Sequence, residues 1–310
     1  MSGKVSSTLI SVILPTLNRS RTLSRAISSV LNQTHQNFEL IIIDNCSTDS
    51  TDDLVRQISD NRLIYLKNPI RHLSVSRNIG IRRSNGEYIA LLDSDDWWTC
   101  DKLELSVNEL LKGFDFVYHD LYKYYSLKSF NNLLTLNDKL KTRQLKSPVF
   151  NDLFFNSNAI NVSSVVFSKS LFFSVDGFLE IDELRNCEDY DCWLRMSLQS
   201  QRFSRINKCL GYYEIASDTM KNDNLRIKAF KYILEKYDDK YNYPKYPLPS
   251  HFFSSLAISY FRLNFFSDSK YWAFRCLNGK GKIIPKVKSL LVLFMVYVLQ
   301  ARNYLLKLRS

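Results

Sequence analysis

Short apolar segments alternate with segments of helical period through the first 120 residues. Five apolar stretches predict strands at residues 9–15, 38–44, 62–68, 87–93 and 114–120. Helices are predicted by apolar spacing from Leu23 to Leu31, by a capping box of Ser50 and Asp53, by residues 74–84, and by residues 103–111, which Gly113 closes. Strands that alternate with helices predict an α/β fold with a mostly parallel, doubly wound sheet.

The pattern changes after residue 120. Residues 121–160 show no clean period and predict irregular structure with some helix, and residues 163–178 predict a strand, a short helix and a turn. Residues 188–200 predict a helix, and the chain is helical in pattern from about 225 onward, apart from the break YNYPKYPLPS at 241–250. We therefore expect an α/β domain over 1–220 and a helical C-terminal region over 221–310.

Composition narrows the class of protein. The chain has 310 residues and is 45% hydrophobic, which is enough material for a core. Its six cysteines form no CxxC pair, so we expect reduced thiols in a cytosolic protein. The apolar run near the N-terminus is too short for a signal peptide, so export is not expected.

The net charge of +11 is concentrated at the C-terminus. Nine Lys and Arg residues and no acids follow Asp268, the last acid in the chain. Nucleic acid and anionic lipid are both candidate partners for such a segment.

Polar residues cluster where three of the predicted strands end. The first strand runs into Pro15-Thr16-Leu17-Asn18, the second into Asp44-Asn45, and the fourth into Asp93-Ser94-Asp95-Asp96. Ligands of open parallel sheets bind beyond the carboxyl ends of the strands, so these clusters predict one crevice. There is no GxGxxG or GxxxxGK[ST] motif, and an Asp-x-Asp pair supplies oxygen ligands suited to Mg²⁺ or Mn²⁺. The structural alternatives are a helix cap for the acids at 93–96, an Asx-turn for Asp44 and a solvated charge for Arg77.

Four motifs together resemble glycosyltransferase family 2, whose members have the GT-A fold. They are VILPTLNR, SSVLNQTHQNFELIIIDNCSTDST, SVSRNIGIRRSNGEYIALLDSDD and GFLEIDELRNCEDYDCWLR, in that order, and the resemblance covers about residues 8–215. It implies an inverting enzyme that moves a sugar from a nucleotide donor, usually a UDP-sugar, to an acceptor hydroxyl. It also implies a bound Mn²⁺ or Mg²⁺.

The resemblance assigns roles at matching positions. It implies that Pro15, Thr16 and Asn18 line the nucleotide pocket and that Asp44 and Arg77 contact the base. It also implies that Asp93 and Asp95 form the Asp-x-Asp motif, in which Asp95 binds the metal and Asp93 faces the metal or the ribose. Finally, it implies that Asp189 is the catalytic base and that Glu188 and Trp193 contact substrate. The structural alternative for the acids of EDYD is a helix N-terminus, where negative charge is favourable.

Two positions depart from the family pattern. Asn45 stands where relatives commonly have a second Asp, and LGYYEIASDTMKN lacks the His that often follows a Tyr-rich strand. Two other functions therefore remain open. One is a nucleotidyltransferase, although PTLNRSRTL has arginines but no glycine for a phosphate loop, and the other is a non-catalytic protein that binds sugar nucleotides.

The segment LLVLFMVYVL at 290–299 raises the question of a membrane. A transmembrane helix needs about 20 apolar residues, so we expect either a core helix or an anchor on the membrane surface. The flanking cations favour the anchor, because anionic lipid attracts them and nucleic acid offers no apolar phase. This interpretation predicts a peripheral protein at the inner face of the cell membrane, with a lipid-linked glycan as acceptor and no nucleic-acid partner.

Overall fold

The structure is a computed structural model and describes residues 7–125, 138–215, 222–238, 249–279 and 281–307. Its first half alternates strands and helices as the sequence predicts. The elements are β1 (Ile10–Thr16), α1 (Leu23–Leu31), β2 (Phe38–Asp44), α2 (Thr51–Arg56), β3 (Leu63–Lys67), α3 (Leu73–Arg83), β4 (Tyr88–Leu91), β5 (Trp97–Trp98), α4 (Lys102–Leu110) and β6 (Phe116–Tyr125).

The second half contains fewer strands and longer helices. The elements are β7 (Lys139–Leu140), α5 (Val149–Asn156), a 3₁₀ turn (Val162–Ser164), β8 (Val166–Ser168), α6 (Lys169–Phe173), a second 3₁₀ turn (Asp182–Leu184), α7 (Glu188–Gln199), β9 (Phe203–Ile215), α8 (Asp223–Asp238), α9 (Ser250–Arg262), α10 (Phe266–Asn278) and α11 (Ile283–Lys307). The predicted strand, helix and turn at 163–178 and the helical C-terminal region are confirmed.

The strands form one mixed sheet in the order β3-β2-β1-β4-β8-β6-β9-β5, with β7 on β6. The first four are parallel to one another, β8 joins β4 and β6 antiparallel, and β6 and β9 are again parallel. All seven residues of β1 and of β2 are buried, as is typical of parallel strands that are covered on both faces. The strand order reverses at β1 and β4, which places a crevice beyond their carboxyl ends.

Three strands, the short β5 and β7 and the long β9, and one cap differ from the sequence expectations. β9 was not predicted, because charged residues interrupt its apolar pattern and its register against β6 shifts twice. β5 is two residues long and exists because Trp97 and Trp98 pair with β9. The predicted capping box is wrong, since the Ser50 side chain makes no cap bond and Asp49 accepts from the Thr51 backbone N–H instead. Gly113 closes α4 as expected, with a φ of 96°.

Parts of two expectations lie outside the described residues, namely 126–137 of the irregular stretch and 241–248 of the proline-rich break. The described chain forms two compact units. The first comprises residues 1–149, 159–180 and 192–219, and the second comprises 150–158, 181–191 and 220–310. Compactness does not establish independent folding, so the division into domains at residue 220 stays a prediction.

Helix α11, in the second unit, packs one side against α9 and α10 and exposes the other side. Val292, Leu293 and Val296 are buried against apolar residues of α9 and α10. Nine other apolar side chains of the helix are exposed: Ile283, Ile284, Val287, Leu290, Leu291, Phe294, Met295, Tyr297 and Val298. Within the described chain, 283–302 is the one helical segment long and apolar enough to cross a membrane, with mean hydropathy 1.7 and 22% of the scored window buried. Because the apolar run belongs to this longer helix, length alone does not separate an anchor on the surface from a span.

A buried carboxylate ties three segments of the first unit together. Glu39, on β2, accepts hydrogen bonds from the Ser11 hydroxyl at 2.6 Å, the Asn85 amide side chain at 3.0 Å and the Gly86 backbone N–H at 3.3 Å. Ser11 lies on β1, and Asn85 and Gly86 form the turn into β4. These bonds fix β4 beside β1, and so they position the strand end that carries Asp93.

We predict that Glu39→Gln lowers the free energy of unfolding by about 1–3 kcal/mol, because the new amide turns a donor toward the donors that surround it. Urea denaturation would measure the change. Glu104→Gln is the matched control, since Glu104 is exposed and accepts one bond, from Thr34 at 2.6 Å. Equal stability of the Glu39 variant and the wild type would contradict the proposed role of this carboxylate.

Candidate active site

The ends of β1 and β2 hold each other through their loops. The Asn45 N–H donates to the Thr16 carbonyl at 2.8 Å, and the Thr48 N–H donates to Asn18 Oδ1 at 2.7 Å. Asn18 has a φ of 51°, in the left-handed region that asparagine tolerates well. Pro15 and Thr16 are buried at the end of β1, and the Thr16 hydroxyl has no hydrogen-bond partner among the described residues. Hydrogen bonds therefore hold the β1 end, where Pro15, Thr16 and Asn18 are predicted to line a nucleotide pocket, against the end of β2.

Asp44 is 3% exposed and uses both carboxylate oxygens inside the protein. Oδ1 accepts from the Ser47 N–H and Oδ2 from the Tyr65 hydroxyl, both at 2.9 Å. Burial, followed by this bond to Asp44, raises the pKa of Tyr65, so the phenol stays a donor. The local-turn alternative for Asp44 is thus present in the structure, and its contact with a base stays a prediction.

Asn45, at the position where the family commonly has Asp, accepts two hydrogen bonds that connect neighbouring segments. Its Oδ1 accepts from the His72 backbone N–H at 3.1 Å and from Asn68 Nδ2 at 3.3 Å. A carboxylate oxygen could accept the same two bonds, so the substitution preserves the link between the β2 end and the start of α3.

The acids that follow β4 have different partners. Asp93 Oδ1 accepts from Arg77 Nη2 at 2.7 Å, and Arg77 is 1% exposed on α3. Asp96 is also buried and accepts from the Ser163 hydroxyl at 2.5 Å and the Glu214 N–H at 2.9 Å. Asp96 therefore joins the loop to the 3₁₀ turn and to β9, while Asp93 is paired with a buried cation. Arg77, predicted to contact the base, thus has Asp93 as a partner.

Asp95 has the weaker ion pair of the two partly exposed acids, since Asp93 is equally exposed but pairs with the buried Arg77 at 2.7 Å. The Asp95 side chain is 34% exposed, and its nearest ion-pair partner is Arg19 at 3.5 Å, whose own side chain is 48% exposed. Burial and then the neighbouring Asp93 raise the pKa of Asp95 above its ordinary value. Burial, followed by the charges of Asp93 and Asp95, raises the pKa of Asp96 well above its ordinary value. The loop thus carries unneutralised negative charge that a cation would relieve.

The residues fit a divalent cation, which Asp93 and Asp95 would hold. Carboxylate oxygens are the ligands that Mg²⁺ and Mn²⁺ prefer, and a bound cation would stabilise the charge on Asp95 that burial and the neighbouring Asp93 disfavour. No group of three or more His, Cys, Asp or Glu in the described part of the chain is arranged to hold a metal. The other ligands would therefore have to come from a substrate, as expected for a diphosphate.

Sequence reasoning missed the support on the far side of this loop. The Arg25 guanidinium lies 3.5 Å from the Trp97 ring centroid, pairs with Glu214 and donates to the Asp95 carbonyl at 2.9 Å. Trp97 stacks on Tyr212 with centroids 4.8 Å apart. The WW dipeptide after three acids was the available signal, but its partners come from α1 and from the unpredicted β9.

Asp189 and Glu188 lie in the first turn of α7, as predicted. Asp189 is partly exposed, and Asn158 Nδ2 lies 3.5 Å from its Oδ2. It lines a cavity of about 500 Å³ within the second unit. Glu188 is 5% exposed. Acids at this position also suit the helix dipole, so the catalytic role of Asp189 stays a prediction.

Trp193 requires a correction. Its side chain is 0% exposed and lies in an aromatic core, with its ring centroid 4.9 Å from Phe116 and 5.8 Å from Phe167. The apolar side of α7 buries it, so the structure places it where no substrate can touch it.

The comparisons with known proteins identify the family. The family model described as glycosyl transferase family 2 matches residues 11–173, more than half of the chain. The putative colanic acid biosynthesis glycosyl transferase WcaA of Escherichia coli K12 is 30% identical, over 76% of this chain and 83% of the relative. The chain therefore belongs to glycosyl transferase family 2.

Another relative is more similar over a shorter stretch. The UDP-Glc:alpha-D-GlcNAc-diphosphoundecaprenol beta-1,3-glucosyltransferase WfgD of Escherichia coli is 41% identical over 106 residues, which are 34% of this chain and 42% of WfgD. The match thus covers less than half of the length of that relative.

Solved structures confirm the GT-A fold. TarS 1-349 of S. aureus in complex with UDP-GlcNAc has a TM-score of 0.59 at 18% identity and covers 86% of this chain and 79% of that one. The mannosyltransferase PcManGT from Pyrobaculum calidifontis, in complex with GDP-Man and Mn²⁺, has a TM-score of 0.55 at 15% identity, over 96% and 80% of the two chains. At these identities the likeness establishes the fold alone.

We predict that Asp95→Asn raises the free energy of unfolding at pH 7 in the absence of divalent cations, because it removes a charge that burial and Asp93 disfavour. The raised pKa means that the folded protein holds this proton more tightly than the unfolded chain does. The gain should therefore shrink as the pH falls toward the ordinary Asp value, where wild-type Asp95 becomes protonated in both states.

Urea denaturation in EDTA at pH 7 and near pH 4 would measure the difference. Asp53→Asn is the matched control, because Asp53 is exposed. An Asp95→Asn protein that is less stable than the wild type at pH 7 would show that this carboxylate is stabilised, not crowded, in the folded state.

Proposed function

We propose that this chain is an inverting glycosyltransferase that moves a sugar from a nucleotide donor, a UDP-sugar, to an acceptor hydroxyl. The observation that carries the proposal is the crowded pair Asp93 and Asp95 at the carboxyl end of β4, with Asp93 held by the buried Arg77, in a chain of this family. The UDP-GlcNAc complex of TarS and the GDP-Man complex of PcManGT support a nucleotide-sugar donor.

In the proposed mechanism the acidic loop serves the donor. Arg77 fixes one oxygen of Asp93 and leaves the rest of the pair to receive a cation. A bound Mn²⁺ or Mg²⁺ supplies stabilisation of the charge that develops on the leaving diphosphate. Pro15, Thr16 and Asn18 line the nucleotide pocket in this proposal, and Asp44 contacts the base.

Asp189 acts on the acceptor. Its carboxylate accepts the proton of the attacking hydroxyl, a contribution of roughly 10²–10⁴-fold to the rate. Direct displacement with one base inverts the anomeric centre and needs no covalent intermediate, so no second nucleophilic carboxylate is required.

The acceptor in this proposal is a lipid-linked glycan of cell-surface polysaccharide synthesis, and the enzyme works at the inner face of the cytoplasmic membrane. WcaA is named for colanic acid biosynthesis and WfgD for a diphosphoundecaprenol acceptor, and both support this class of acceptor. The exposed apolar side of α11 and the cations around it support contact with anionic lipid.

A panel of UDP-sugars incubated with Mn²⁺, with and without EDTA, tests the proposal. We expect slow, EDTA-sensitive hydrolysis of one donor, and loss of that activity in Asp95→Ala with the fold retained. Release of pyrophosphate from a nucleoside triphosphate and a sugar phosphate would favour a nucleotidyltransferase. UDP-sugar binding without turnover, even with lipid-linked acceptors, would favour a non-catalytic protein.

For the base, we predict that Asp189→Asn keeps donor binding and lowers kcat by at least ~10²-fold, because the amide cannot take the proton. Asp182→Asn is the matched control, an exposed acid with a side chain 74% accessible in its contact with Arg185. Loss of UDP binding in Asp189→Asn, with turnover of bound donor unchanged, would move this residue to the donor site.

For the membrane, we predict that Leu290→Gln with Phe294→Gln weakens binding to anionic liposomes at least ~10-fold, because two exposed apolar side chains lose their lipid contact. Co-sedimentation at low and high salt would measure it, and binding of the wild type should weaken in high salt. Leu111→Gln with Phe173→Gln, a Leu and Phe pair exposed in the first unit, is the control. Wild-type protein that ignores such liposomes at low salt would overturn the anchor.

A further inference from the structure

The second unit contains a cavity of about 500 Å³, within the size range of sites that hold small ligands. One part of its wall is formed by two amide side chains, Asn158 and Asn186, and the carboxylate of Asp189. Another part comes from the residue before α11 and from the first two turns of that helix, with Lys282, Ile284 and Lys288. A carboxylate and two cations therefore line the same cavity.

The two lysines have no acidic partner among the described residues, and no acid follows Asp268 in the chain. Both are exposed. Cations at a cavity wall that make no ion pair favour an anionic ligand, since a phosphate accepts charge-assisted hydrogen bonds from an ammonium group.

A buried hydroxyl also points to a ligand. Ser254 on α9 lines the cavity and is 3% exposed, and its Oγ has no hydrogen-bond partner in the described part of the chain. Beside it on the same helix, the His251 ring is fixed by a bond of 2.7 Å between Nε2 and the Phe154 carbonyl. A buried hydroxyl without a partner costs free energy that a bound polar ligand would recover.

An exposed stripe leads from the cavity along α11. Ile284 and Lys288 line the cavity, and Leu291, Met295 and Val298 continue at spacings of three and four residues, so the five side chains share one side of the helix. The three apolar side chains beyond Lys288 are each about half exposed. The stripe therefore begins at the cavity, includes the cation Lys288, and continues as an exposed apolar surface.

We propose that this cavity and stripe bind an isoprenoid-type lipid diphosphate that carries the acceptor sugar. The sugar lies in the cavity toward Asp189, the diphosphate lies at Lys282 and Lys288, and the lipid chain follows Leu291, Met295 and Val298. This assignment rests on the proposed function, because it makes the cavity the acceptor site and Asp189 the base that faces the acceptor hydroxyl.

Calorimetric titration of the full chain with farnesyl diphosphate, inorganic pyrophosphate and farnesol tests the proposal, with saturating UDP present to occupy the donor crevice and no divalent cation added, because both diphosphates would chelate it. Farnesyl diphosphate should bind at least about tenfold more tightly than either of the others, because it alone contacts both the cations and the apolar stripe. Pyrophosphate that binds as tightly would identify a site for soluble phosphates and overturn the lipid, and farnesol that binds as tightly would overturn the anion site.

Single substitutions on α11 locate the contacts. Lys288→Gln should weaken farnesyl diphosphate about tenfold, whereas Lys286→Gln, which removes the same charge from a residue outside the cavity wall, should not. Leu291→Gln should weaken farnesyl diphosphate and leave pyrophosphate unchanged, with Leu290→Gln as its control. Equal effects of Lys288→Gln and Lys286→Gln would reduce the binding to general electrostatics and overturn the site.

A separate titration with UDP keeps this test distinct from the proposed function. Failure to bind UDP, with Lys288-dependent binding of farnesyl diphosphate intact, would overturn the donor assignment alone. Normal UDP binding without any Lys288-dependent binding of farnesyl diphosphate would overturn the acceptor site alone.

Discussion

Three carboxylates within four residues, at the end of a buried strand, are the constraint on which the first unit depends. Asp93, Asp95 and Asp96 repel one another, and burial makes their charges more costly still. Each carboxylate has a different partner: the buried Arg77 for Asp93, hydrogen-bond donors for Asp96, and the exposed Arg19, at 3.5 Å, for Asp95. The charge of Asp95 is therefore the least compensated of the three, and a bound cation would neutralise it.

The surrounding elements serve to hold this loop. The Glu39 network sets β4 beside β1, so Asp93 emerges at the point where the strand order reverses. On the other side, Asp96 reaches the backbone of β9 and Arg25 packs on Trp97. A loop fixed from both sides loses little further freedom when it binds a ligand, which is the physical basis of preorganisation.

Helix α11 combines packing with exposure. Val292, Leu293 and Val296 attach it to α9 and α10, while nine apolar side chains between Ile283 and Val298 are exposed. A helix that is apolar on nearly all sides and packed on one side only needs a second apolar partner. The proposed membrane contact and the proposed lipid-bearing acceptor both supply that partner, and both use the cations near its start.

Local pattern was sufficient for the first half of the fold and for the place of the site. Buried parallel strands leave long apolar runs, and helices between them leave a period of 3.6, so β1 to β4 and their helices could be predicted. The polar residues at the strand ends, from Pro15 to Asp95, followed from the same pattern, because parallel strands end at one edge. The roles given to them came from family motifs, since no spacing rule says what a carboxylate binds.

Tertiary structure decided what depends on residues distant in sequence. β9 forms only because β6 offers it an edge, so its charged residues concealed it. Glu39 looks like an interruption in an apolar strand, yet donors from β1 and from the turn before β4 make it a structural centre. Trp193 looked like a site residue from its motif, but the packing of α7 buried it. Sequence records which side chains are present and their local period, whereas the partner that a buried charge or aromatic ring finds depends on chain segments that only folding brings together.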